Sequence, residues 1–264
     1  MYISCCAPAC QYQMVSEAGF DRIVLSAQEV AGAPPDVLQT LSHWFHHRNL
    51  TCWALNDFCP PELKLCGPNY SPGQVERYVE RLAPKAAQLG VAQIGIGAPL
   101  SRRIPENFSR QLAQAQLLES LELTARLCRP YNIQILLEPV CRQMTNFLNG
   151  TSEVLALTDR CDAPVDIVYD IFHAWMMEES PAAARPAIDR IGIVHIAHAH
   201  NGRRLPTAET ITQYHPYLQM LLDSGYQGEI SIEAQMDGID QSRLAQSCQA
   251  LRQALTSAAA ASRL

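Results

Sequence analysis

IQILLEPV (133–140), VDIVYDIFH (165–173), IGIVHIAHAH (191–200) and GEISIEAQ (228–235) share one pattern. Each is a run of Val, Ile and Leu that reads as a buried parallel strand, and each closes on an acid or an imidazole. The closing residues are Glu138, Asp170, His195 and Glu233, with His173 three positions beyond Asp170. One carboxylate at the end of a strand is commonplace. Four successive runs ending in Glu, Asp, His and Glu predict a single divalent metal at the mouth of a barrel.

Outward from these stretches, strand and helix alternate along the whole chain. Strands are expected at Tyr2 to Cys6, Arg22 to Ser26, Leu50 to Leu55 and Ala92 to Ile96, followed by the four runs above. Helical spacing appears around Met14 to Ala18, Asp36 to His47, Pro72 to Leu89 (with Ser71 as N-cap) and Glu106 to Arg129. It recurs at Ser152 to Arg160, Ala182 to Arg190, Glu209 to Asp223 and Ser242 to Ala258. Eight strand–helix units in about 250 residues match a (β/α)8 TIM barrel, an α/β fold in which one domain spans residues 1–264. A doubly wound open sheet usually needs a glycine-rich first turn, and CCAPACQYQM (5–14) contains no glycine. In a barrel the C-terminal strand ends converge on one face, which sets the four closing residues side by side.

Composition narrows the class. The chain has 264 residues, 48% of them hydrophobic, enough for one large core. Its net charge of -6 opposes a nucleic-acid partner, which needs clustered Lys and Arg. No apolar run reaches the roughly 18 residues of a membrane span, and MYISCCAPAC (1–10) lacks the basic and apolar regions of a signal peptide. A cytoplasmic protein without a membrane partner is expected. The ten cysteines lack zinc-ribbon spacing and read as reduced thiols. The terminal Ser262-Arg263-Leu264 is similar to a peroxisomal S-K-L address, but nothing else in the chain points to an organelle.

Two Glu, one Asp and one His offer mostly oxygen ligands with one imidazole, a set that suits Mn²⁺, Mg²⁺, Co²⁺ or Zn²⁺ with positions left for substrate. The LLEP at Glu138, the D-x-x-H of Asp170 and His173, the VHIA around His195 and the SIE of Glu233 resemble the sugar isomerase/epimerase family of xylose isomerase-like TIM barrels. That family includes ketose 3-epimerases, hydroxypyruvate isomerase and inosose-processing enzymes. The resemblance implies a divalent metal, Mn²⁺ first, held by Glu138, Asp170, His195 and Glu233. It also implies a small sugar or hydroxy-carbonyl substrate, and Glu138 and Glu233 as the pair that removes and returns a proton through an enediolate. His173 would bond a substrate oxygen, and Arg204, in the RLP segment, would be the substrate-binding arginine.

The chain departs from the family after VHIA, where His198, followed by His200, stands in place of a usual acidic residue, and at PTAET (206–210), which replaces a Pro-Gly-x-Gly-like turn. Partly solvated positions are expected for both histidines. His43, His46 and His47 read as surface or packing residues, and Tyr12, Phe58 and Tyr70 as candidate pocket walls. A dehydratase or lyase would use the same ligands. A metal-free glycosidase using Glu138 and Glu233 leaves Asp170 and His195 idle. An abasic-site endonuclease needs histidines after earlier strands, where this chain has LSAQ, LNDF and GIGAP. A non-catalytic binding barrel is the remaining alternative.

Overall fold

The structure is a computed structural model that describes residues 1–47, 50–200 and 202–261. Eight parallel strands close into a barrel in sequence order. They are β1 (Tyr2–Cys6), β2 (Arg22–Ser26), β3 (Thr51–Asn56), β4 (Gln93–Ile96), β5 (Gln134–Leu137), β6 (Val165–Asp170), β7 (Ile191–Ile196) and β8 (Glu229–Ile232). β1 pairs with β8 as well as with β2, so the sheet has no free edge. The helices outside it are α1 (Tyr12–Glu17), α2 (Ala27–Gly32), α3 (Pro35–His47), α4 (Pro72–Gln88), α5 (Arg110–Cys128), α6 (Thr151–Thr158), α7 (Ile171–Met176), α8 (His215–Asp223) and α9 (Gln241–Ala261). Among the described residues no helix is long and apolar enough to cross a membrane.

Local chemistry accounts for the differences from the sequence expectation. α5 starts at Arg110 rather than near Glu106 because the Ser109 hydroxyl accepts the Leu112 N–H at 3.3 Å and fixes the start there. Ser71 stands at the N-cap of α4, but its side chain makes no capping bond; Pro72 in the first turn sets the helical φ instead. The segments expected as helix near Ala182 and Glu209 form 3₁₀ turns at Pro181–Arg190 and Thr210–Tyr214. α2 and α7 are single short helices that periodicity does not reveal, each started by a strand-end side chain, Ser26 or Asp170. The ten cysteines are free thiols. Burial pushes those of Cys5 and Cys128 up to about 12, so they behave as small apolar side chains. His43 and His47 stack on one another on α3, at 4.2 Å between ring centroids. Ser262-Arg263-Leu264 and the His46 side chain lie outside the described residues.

Along six of the strands side chains divide between two buried clusters. Cys6, Val24, Ala54, Leu136, Val168 and Ile193 come from six strands and pack together, so they fill the barrel interior. Ser231 joins this layer through its hydroxyl, 3.3 Å from the Cys6 thiol. Their neighbours in sequence, such as Ile23, Leu137 and Val194, pack outward beneath the helices. Bulky inner residues leave no room on some strands: a Cβ on Gly192 would lie 2.7 Å from a Leu136 methyl. Gly192→Ala should therefore overpack the interior and destabilise the protein by about 1–3 kcal/mol. Urea unfolding measures this, and an unchanged midpoint would contradict the tight interior layer.

Candidate metal centre and active site

The inner layer fixes what stands above it. Two positions beyond Ala54, Leu136, Val168, Ile193 and Ser231 come Asn56, Glu138, Asp170, His195 and Glu233, and a period of two points all five inward again, one layer nearer the C-terminal mouth. Asp170 and His195 are register partners across β6 and β7. Glu138 and Glu233 lie one residue past β5 and β8, each still tied to the neighbouring strand by its N–H, at 3.1 Å and 3.0 Å to the carbonyls of Ile96 and Ile196. One ligand atom from each of Glu138, Asp170, His195 and Glu233 lies within 4.8 Å of the others. Gly97, the corresponding position on β4, makes room for the cluster, because a Cβ there would meet a Glu138 carboxylate oxygen at 2.3 Å.

Two of the carboxylates, Asp170 and Glu233, are held by specific partners. Asp170 Oδ1 caps α7, accepting from the N–H groups of Phe172 at 2.7 Å and His173 at 3.4 Å. Glu233 Oε1 accepts from the Asn56 amide at 2.7 Å. The second oxygens, Asp170 Oδ2 and Glu233 Oε2, both accept from the Arg203 guanidinium, which lies 4.6 Å over the Phe172 ring. His195 Nδ1 faces Glu233 Oε2 at 3.3 Å and Glu138 Oε1 at 3.6 Å. Burial pushes the His195 imidazole down, but the Glu233 and Glu138 carboxylates override this and raise it to about 10. Glu233 moves the other way: burial pushes it up, while Arg203 and His195 hold it well below the usual carboxylate range.

His173 is 2% exposed and accepts the Cys141 backbone N–H on Nδ1 at 3.3 Å. Its proton is therefore on Nε2, which faces Asp170 Oδ2 at 3.7 Å. Burial keeps this imidazole below its ordinary pKa, although the charges of Glu138 and Glu233 oppose the shift. It is a neutral donor beside the cluster.

The donor set fits a divalent ion. Glu138 Oε1 and His195 Nδ1 are buried and make no aligned hydrogen bond within the protein, an arrangement costly to leave unsatisfied. Both belong to the cluster in which one potential ligand atom from each of Glu138, Asp170, His195 and Glu233 lies within 4.8 Å of the others. Oxygen-rich donors with one imidazole match the coordination preferences of Mn²⁺, Mg²⁺, Co²⁺ and Zn²⁺.

The structure thus brings Glu138, Asp170, His195 and Glu233 together and sets His173 against them. It does not bring Arg204 to the cluster. Arg204 is exposed and its backbone pairs with His198 at 2.9 and 3.0 Å, and the preceding residue, Arg203, turns to the carboxylates instead. His198 is half-buried with Nδ1 2.6 Å from the Gln213 amide, and His200 is exposed. Of the expected pocket walls, Phe58 is fully buried against Tyr78, Tyr12 packs on Trp44 of α3, and Tyr70 bonds Glu119 of α5 at 3.1 Å. Sequence reasoning missed Asn56 and Arg203. Asn56 ends a strand at the same height as the ligands, a position that could have flagged it. It also missed Arg102, a fully buried residue whose three guanidinium nitrogens make no hydrogen bond. Burial pushes that guanidinium down to about 10 against the opposing charge of Glu138.

Known proteins share this architecture. A D-psicose 3-epimerase from Clostridium cellulolyticum H10, solved with D-tagatose, superposes with a TM-score of 0.77 at 19% identity, covering 100% of this chain and 98% of that one. A 3-keto-D-glucoside 4-epimerase from E. coli gives 0.76 at 17% identity, covering 97% and 99%. A family 2 AP endonuclease from Brucella melitensis gives 0.71 at 19% identity, covering 92% and 97%. These likenesses are of fold. No curated protein sequence matches the chain significantly. The family model described as xylose isomerase-like TIM barrel matches residues 12–254, and the chain belongs to that family.

Proposed function

We propose that this protein is a divalent-metal-dependent isomerase or epimerase of a small sugar, ketose or related hydroxy-carbonyl compound. The observation that carries the reading is the convergence of Glu138, Asp170, His195 and Glu233 within 4.8 Å at the barrel mouth, with a glutamate on either side of His195. The sugar epimerases among the structural neighbours support the substrate class. An ion held by these four residues would supply Lewis-acid stabilisation of the negative charge that develops on substrate oxygens as an α-proton leaves. Glu138 and Glu233, from β5 and β8, are the pair of carboxylates that would remove a proton and return one. His173 donates from Nε2 to a substrate oxygen. Arg203, rather than Arg204, is the residue placed to steady a hydroxyl.

An abasic-site endonuclease reading is weaker despite the shared fold. Ser26 and Asn56 close β2 and β3 and Gly97 follows β4, in place of further imidazoles, and the net charge of -6 opposes a phosphate backbone.

Three measurements test the proposal. Asp170→Ala and His195→Ala should each lose most bound divalent metal while circular dichroism still reports a folded barrel; unchanged metal content in both would sink the ligand assignment. Glu138→Gln and Glu233→Gln should each slow deuterium exchange at the carbon next to a ketose carbonyl by about 10²–10⁴-fold. Wild-type exchange in both would remove the two-glutamate mechanism. In excess chelator, His195 should add stability that depends on pH. Its folded pKa, about 10, lies above the unfolded value, so the contribution is complete below about pH 6.5 and lost as pH rises toward 10. Urea unfolding of wild type and His195→Gln should therefore differ most at low pH and converge by pH 10. A gap that widens with pH would contradict the imidazolium.

A further inference from the structure

We propose that Arg203 and the divalent ion compete for the same two carboxylate oxygens, so that metal binding requires the guanidinium to withdraw. This rests on the metal-site reading above and adds to it a role for one residue of this chain. Asp170 and Glu233 each have one oxygen already committed to a protein donor. Asp170 Oδ1 holds the first turn of α7, and Glu233 Oε1 holds the Asn56 amide. That leaves Oδ2 and Oε2 for an ion, and these are the two atoms that Arg203 occupies, one with each Nη.

A guanidinium fork spans two carboxylate oxygens well because its donors are planar and fixed. It cannot share them with a dication at full strength. Two positive centres that close repel strongly at the dielectric of a partly buried site. The contacts that keep Arg203 in place are few. Its Nε is buried without a hydrogen-bond partner, and its guanidinium otherwise lies against the face of Phe172. Its carbonyl is fixed separately by the Gln235 N–H at 2.9 Å, and the adjacent pair His198–Arg204 closes the hairpin. The backbone can therefore stay while the side chain, 20% exposed toward the mouth, changes rotamer. In this arrangement Arg203 neutralises the cluster in the metal-free protein, and the ion releases it to the pocket.

The test is calorimetric titration of Mn²⁺ into chelator-stripped wild type, Arg203→Met and Arg203→Lys, with thermal midpoints measured with and without Mn²⁺. Arg203→Met should bind Mn²⁺ at least tenfold tighter than wild type. Arg203→Lys, which keeps the charge but not the fork, should fall between them. Arg203→Met should also melt lower than wild type without metal and gain more from Mn²⁺. If Arg203→Met does not fold without metal, the Lys variant carries the comparison. Wild-type binding with equal or weaker affinity in both variants would overturn the competition alone. No Mn²⁺ binding by any of the three would overturn the metal site and the competition together.

Discussion

Three carboxylates converging on one imidazole repel one another, and the surroundings of the barrel mouth are arranged to offset that repulsion. Positive or donor groups reach the cluster from four directions: the Asn56 amide from β3, the start of α7, the His195 imidazolium from β7 and Arg203 from the hairpin that follows it. The layer beneath the site is mostly apolar. The electrostatic terms are therefore larger than they would be on an open surface, for attraction and for repulsion alike. The Arg203 guanidinium, bonded to both Asp170 and Glu233, is one cation that offsets this repulsion.

The barrel's closure is what makes the convergence possible. In-register parallel pairing places inward positions of neighbouring strands at nearly equal height, as with Asp170 beside His195. Glycines at 95, 97 and 192 thin the interior where Val168, Glu138 and Leu136 need the space. A second buried ion pair, Arg22 with Glu229 at 2.8 Å, sits at the opposite end of the barrel. Val24, Ala54, Leu136, Val168 and Ile193 separate the two. The lower pair is a scaffold feature at the face where barrels keep their stability determinants, while the upper cluster is at the face where chemistry resides.

Much of this was legible in the sequence, for a physical reason. A fully buried parallel strand reads as an unbroken apolar run, so the first charged residue after it marks the place where the barrel opens. Glu138, Asp170, His195 and Glu233 were found that way. Arg203 was not, because nothing periodic governs a hairpin beyond the sheet. The backbone bonds between His198 and Arg204 decide which of two adjacent arginines turns inward. Asn56 escaped because a neutral amide does not attract attention as a ligand, although its position on β3 matches theirs. The loop position of Phe58 suggests a pocket wall, but its contact with Tyr78 of α4 draws it into the core. α7 was invisible because six residues carry less than two helical turns of pattern.

The start of α7 joins folding to chemistry more directly than any other element. Asp170 ends a strand through its backbone, caps a helix with Oδ1 alone and turns Oδ2 to the cluster. Capping fixes the carboxylate plane, which in turn fixes where Oδ2 points. The same helical turn carries His173 inward, and the Cys141 N–H on its other nitrogen sets its tautomer so that Nε2 donates toward the cluster. Phe172, between them, supplies the surface on which Arg203 rests. A helix too short to be stable alone is held by the strand before it and the loop of Cys141, and its start places a carboxylate, a neutral donor and a platform within four consecutive residues.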